Sequence, residues 1–126
     1  EDKSAAWELY IELLTRVTTQ ILTDESGDEK SALDSIYALF PTTRLVLKNN
    51  GRKCSEFTKI AIVVLNQVIR PFTAKWHRLS LQSAFDDKDK CKEFRNDLLQ
   101  LQIILRNYTR MLADMAGVED LTTLDY

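Results

Sequence analysis

The sequence predicts an all-α fold, an antiparallel up-down bundle of four helices with the second and third bent at proline. Three observations carry this reading. Apolar residues recur every three or four positions through four long segments, the period of a helix face rather than of a strand. Short polar connections join the segments, as antiparallel neighbours in a bundle require. Only three glycines and two prolines occur in 126 residues, too few for the tight turns of a sandwich or barrel.

The first helix is expected over residues 4–23, with Ser4 as its N-cap. Trp7, Tyr10, Leu14, Val17 and Ile21 form a heptad-spaced seam, and Ile11, Leu13 and Leu22 broaden it. Glu8, Glu12 and Arg16 make a charged row at four-residue spacing on the outer side. The acidic stretch from Asp24 to Glu29 lacks the ligand order of a calcium loop. It reads as a solvated connection whose carboxylates favour the start of the next helix.

The second helix is expected over 29–49. Leu33, Ile36, Phe40, Thr43 and Leu47 keep the seam, with Tyr37, Leu39 and Val46 beside it. Pro41 interrupts the run, so the segment is either kinked or split into two pieces meeting at Phe40. Lys48, Asn49, Asn50 and Gly51 mark a well-defined end. Arg44 lies just past the proline and faces either water or the cations of the third helix.

The third helix is expected over 55–81. Its run from Ile60 to Leu65 is apolar and β-branched, and alone it fits a buried strand as well. No turn signal occurs between Gly51 and Asp86, however, and a segment of about 25 residues is too long for one strand. Phe57, Ala61, Val64 and Val68 make one stripe; Ile60, Leu65, Ile69, Phe72 and Trp76 widen it to most of the circumference. Pro71 sits inside this helix and should free the carbonyl of Gln67. The fourth helix, over 89–116, has the most regular seam: Phe94, Leu98, Leu101, Leu105, Tyr108, Leu112 and Met115, with Ile104 and Met111 extending it. Gly117 ends it. Leu121 and Leu124 in the tail are expected to dock on the bundle end or on a neighbouring domain.

Composition narrows the function classes. Hydrophobic content of 44% and charged content of 29% suit one soluble domain over residues 1–126, long enough to bury about two thirds of its unfolded surface. A net charge of −2 argues against wholesale coating of nucleic acid and leaves room for a local cationic patch. Cys54, Cys91 and the one histidine make no metal site at any standard spacing, and nothing implies a cofactor. In an up-down bundle the two cysteines fall at opposite ends, which argues against a bridge and for a reducing, cytoplasmic compartment. No apolar run approaches the length of a membrane span and no signal peptide is visible. The lack of an initial methionine reads as a domain excised from a longer protein, whose flanking domains are then candidate partners.

One stretch offers a chemical lead. After Ile69 the chain reads RPFTAKWHR, gathering Arg70, Lys75, His77 and Arg78 around Phe72 and Trp76. Arg70 and His77 are two helical turns apart and share a face, about 10 Å apart along the axis. Phe72 and Trp76 share another face. The first functional reading is a non-enzymatic helical module for protein interaction or assembly, including self-association. The wide stripes of the third and fourth helices exceed what four helices hide, and a leftover apolar face marks a partner site.

The second reading is an enzyme. The spacing R-x6-H in RPFTAKWH resembles the R-x4–6-H motif of the HEPN superfamily of small helical bundles, and the resemblance covers that motif and the overall layout. It implies metal-independent RNA cleavage, often by a homodimer whose two motifs face each other. His77 would then be the general acid or base, and Arg70 would steady the phosphate charge. The third reading is a pocket for a nucleotide or single-stranded RNA, with Phe72 and Trp76 stacking a base while Arg70, Lys75 and Arg78 hold phosphate.

Overall fold

The computed structural model describes residues 2–16 and 29–122. The expectations for Val17, Ile21 and Leu22, for residues 24–28 and for Leu124 lie outside those residues. Within them every regular element is helical and no strand occurs. The elements are α1 (Asp2–Leu14), α2 (Glu29–Tyr37), α3 (Leu39–Asn50), α4 (Ser55–Val63), a π-helical segment (Val64–Ile69), α5 (Arg70–Leu81), a 3-10 turn (Ala84–Asp86) and α6 (Lys88–Ala116).

The longest helix, α6, follows the sequence pattern closely. Phe94, Leu98, Leu101, Leu105, Tyr108 and Leu112 are all buried, and α1, α2, α5 and the π segment pack against it. Its start is fixed by the Asp87 carboxylate, which accepts a hydrogen bond from the Asp89 N–H at 2.9 Å. Its end is fixed by Gly117, whose φ of 73° lets Val118 N–H reach back to the Ala113 carbonyl at 3.0 Å. Ile104 and Met111 depart from the expected stripe: they stand 48% and 50% exposed.

In α1 the buried face is rotated from the expected seam. Ala5, Ala6, Leu9, Tyr10 and Leu13 are buried, whereas Trp7 is 50% exposed and Ile11 points outward. The cause is the crowding of α1 among α3, α4 and α6. Two alanines let the helix axes approach where an indole would hold them apart. Polar ties complete the docking. The Asp2 carboxylate accepts from the Phe57 N–H in the first turn of α4 at 3.2 Å. Asn50 Nδ2 donates to Glu8 Oε2 at 2.6 Å. Tyr10 Oη donates to the Glu119 carbonyl and accepts from the Leu121 N–H, which pins the tail after α6.

Both prolines fall in the first turn of a helical element. The expected second helix divides at Ala38, two residues before Phe40, so that Pro41 is the third residue of α3. A missing N–H costs least there, because the first turn has no intrahelical acceptor for it. Between α4 and α5 the helix does not stop; it widens. Arg70 N–H bonds the carbonyl of Leu65, five residues back, at the end of the π segment, and Pro71 follows at once. A widened turn directly before the proline is one way a helix absorbs the clash of its ring.

Candidate functional site

The two aromatic residues of RPFTAKWHR belong to the core. Trp76 is completely buried: its ring meets Phe94 edge-on at 5.2 Å and stacks on Phe85 at 6.0 Å. Phe72 packs on Phe94 at 5.6 Å. The indole N–H donates to Asp97 Oδ2 at 3.0 Å, so the one polar atom of Trp76 is satisfied from α6. Lys75 sits beside it, 2.7 Å from Asp97 Oδ2 and 3.0 Å from Glu93 Oε2. Its ammonium is held above the ordinary lysine range, first by the hydrogen bond to Asp97 and then by that to Glu93. These positions correct the stacking expectation. Neither Phe72 nor Trp76 has an open face for a base, and Lys75 is already neutralised by two carboxylates.

The remaining cations turn the other way. Arg70 and His77 line one cleft with Tyr37, Phe40, Arg44, Thr73 and Ala74, a hollow of about 230 Å³ where α5 meets α2 and α3. Arg70 is oriented rather than loose. Asn66 Oδ1, one turn back in the π segment, accepts from both its Nε and Nη2 at 3.3 and 3.1 Å. Its guanidinium carbon lies 4.8 Å from the centroid of the Phe40 ring. His77 leans on Tyr37, ring centroids 6.2 Å apart. Among the described residues no carboxylate pairs with Arg44, Arg70 or His77. Arg78 is exposed on the same helix and does not line the hollow.

Sequence reasoning thus found Arg70 and His77 but missed Tyr37 and left Arg44 open. A signal was present. Tyr37, Phe40 and Arg44 stand at i, i+3 and i+7, and Arg70 and His77 at i and i+7, so each set makes a single row on its own rod. What the sequence does not show is that the two rows face each other.

A second feature lies between α4 and α6. Ile60, Val63, Val64, Ile104, Tyr108 and Met111 line an open, apolar groove of about 430 Å³, rimmed by Lys59 and Asn107. Val63 is 48% exposed, so the groove is a true surface. Tyr108 forms its floor. The Tyr108 hydroxyl is buried without a hydrogen-bond partner among the described residues, and burial pushes its ionisation well above the ordinary tyrosine range.

No family model, curated protein or solved structure matches this chain. Function therefore rests on these two features. Both thiols, Cys54 and Cys91, are free, and no group of three or more His, Cys, Asp or Glu among the described residues is placed to hold a metal ion. Among the same residues no helix is long and apolar enough to cross a membrane.

Proposed function

We propose that this chain is a non-enzymatic α-helical interaction module whose apolar groove between α4 and α6 receives an amphipathic helix of a protein partner. The observation that carries this reading is the groove's composition. Ile60, Val63, Val64, Ile104 and Met111 form one apolar strip between two helices, with a cation, Lys59, at its rim. That is the shape an incoming helix fills with residues at i, i+3, i+4 and i+7, an acidic residue meeting Lys59. Exposed aliphatic side chains at this density cost solubility unless something covers them.

The reading includes the finer architecture. The four rods (α1, α2 with α3, α4 through α5, and α6) run up and down in alternation with bends at the prolines, in a cytoplasmic protein. Short connections such as residues 51–54 and 82–87 support that order. The test is capture of partner from a lysate together with light scattering. Capture by the parent chain that is lost in both Val63→Asp and Ile104→Asp, and kept in Arg70→Ala, supports the groove. A concentration-dependent dimer abolished by the same two changes would assign the occupant as a second copy. A monomer that captures nothing overturns the reading.

One observation favours a second reading: Arg70 and His77 of the R-x6-H spacing line a single cleft. A HEPN-like ribonuclease would use His77 as general acid or base and Arg70 against the phosphate. Cleavage of single-stranded RNA by the parent chain, lost in His77→Ala at an unchanged melting temperature, would support it. RNA left intact by the parent chain dismisses it.

A further inference from the structure

The cleft on the opposite side of α5 from Trp76 contains more than the R-x6-H spacing requires. Arg44 comes from α3, and Tyr37 from the end of α2. We infer that this cleft is a binding site for a small phosphate monoester carried on a flat ring, with the phosphate between Arg44 and Arg70 and the ring against Tyr37 and His77. The inference goes beyond the groove and needs no turnover.

Three properties of the cleft argue for it. The first is uncompensated charge. The chain carries a net charge of −2, yet two guanidiniums face one hollow with no carboxylate paired to either among the described residues. Clustering like charges raises the energy of the unliganded protein, and an anion recovers it. The second is preorganisation. Asn66 takes two donors of Arg70 and Phe40 supports its flat face, so the guanidinium is oriented before a ligand arrives and loses little freedom on binding. Planar, forked donors of this kind match phosphate oxygens in pairs. Lys75 and Lys90, by contrast, are paired with acids on α6.

The third property is the ring. Tyr37 is 52% exposed, although Phe40, three residues on, is buried. Its ring separates the cationic hollow from a second one of about 390 Å³ lined by Lys30, Leu33, Asp34, Tyr37, Ala38 and His77. Tyr37 and His77 line both hollows, so a ligand with its phosphate on the arginines reaches an aromatic surface at the boundary between them. Past that surface, Asp34 offers an acceptor and Lys30 a donor to a polar ring edge, these two being paired with each other at 3.0 Å in the free protein. Ring stacking of this type contributes enough to raise affinity roughly tenfold or more over the phosphate alone.

Titration calorimetry on the whole chain, with inorganic phosphate, ribose 5-phosphate, phenyl phosphate and adenosine 5′-monophosphate as probes, tests the assignment. The expected order is phosphate and ribose 5-phosphate weakest, with the two ring-bearing esters at least about tenfold tighter. Preference for the nucleotide over phenyl phosphate would identify a nucleotide as the ligand, and parity would identify a simple aryl phosphate. Arg44→Ala and Arg70→Ala should each weaken all four probes by about tenfold or more. Tyr37→Ala should bring the ring-bearing esters down to the level of ribose 5-phosphate and leave inorganic phosphate unchanged. These side chains are exposed, so folding is checked simply by an unchanged melting temperature. Absence of heat for every probe at millimolar concentration overturns the inference, as does binding that is indifferent to Arg44→Ala and Arg70→Ala. Ile104→Asp serves as the control: it disables the groove and should leave every titration unaltered.

Discussion

At the residue scale, the pair Trp76 and Asp97 ties the third rod to the fourth. Trp76 has no exposed surface and packs against Phe85 and Phe94, so Trp76→Ala should cost about 3–5 kcal/mol of stability. Asp97→Ala works differently: it leaves a buried indole N–H without an acceptor, at about 1–3 kcal/mol. Denaturant midpoints measure both, and an Asp97→Ala variant as stable as the parent would show that water replaces the carboxylate. Tyr108 has the opposite character. Its hydroxyl is buried with no partner among the described residues, so Tyr108→Phe should leave neutral-pH stability unchanged or raise it. The sign with pH follows from the same burial. Its folded ionisation lies above the ordinary value of 10, so the unfolded chain sheds the proton first and stability falls as pH rises past 10. Melting curves above that pH should fall less steeply for Tyr108→Phe than for the parent. The sequence placed Trp76 and Tyr108 on buried stripes correctly, because apolar spacing reports burial. It could not reveal that one polar atom is satisfied and the other is not.

At the element scale, legibility followed side-chain size. The α6 seam was readable because six large residues repeat without interruption and each meets another helix. In α1 the same rule misassigned Trp7, since period alone does not distinguish a close-packed helix with alanines inward from one with an indole inward. The π segment was invisible for a related reason. Val64 to Ile69 is ordinary helical sequence, and only Pro71 hints that the preceding turn must yield. The glycine end of α6 was legible in chemical terms, whereas Ser4, expected as the first N-cap, is the third residue of α1. Gly117 adopts a φ of 73° with open space around its Cα, so nothing collides with an added methyl and the penalty is purely conformational. Gly117→Ala should therefore cost about 1 kcal/mol, read as a lowered midpoint with an unchanged m-value. A neutral result would mean that the tail pinned by Tyr10 detaches readily from the bundle.

At the scale of the whole molecule, two kinds of surface are kept apart: an apolar one on α4 and α6, and a cationic one on α3 and α5. Between the rods run ion pairs of a third sort. Lys75 on α5 bonds Glu93 and Asp97 on α6, and Arg95 on α6 bonds Glu29 on α2 at 2.7 Å. Their pH response separates them from the cleft. Lys75, first, and Lys90 hold the Glu93 carboxyl below its ordinary value of 4.5. A depressed acid adds stability above that value and loses it as pH falls through the lower, folded one. Lys75 is raised above 10.5, so its contribution is full below that pH and lost only beyond it. The linkage between α5 and α6 is thus complete from about pH 4.5 to 10.5. Lys75→Met should lower the melting temperature across this window, and the gap to the parent should narrow in more acid solution as Glu93 is protonated in both. Because Lys75 faces α6 while Arg44 and Arg70 face the opposite cleft, Lys75→Met should also leave phosphate-ester affinity unchanged. If affinity fell with it, the two cationic groups would be one field rather than two, and the division of this bundle into a structural and a ligand-facing side would be wrong.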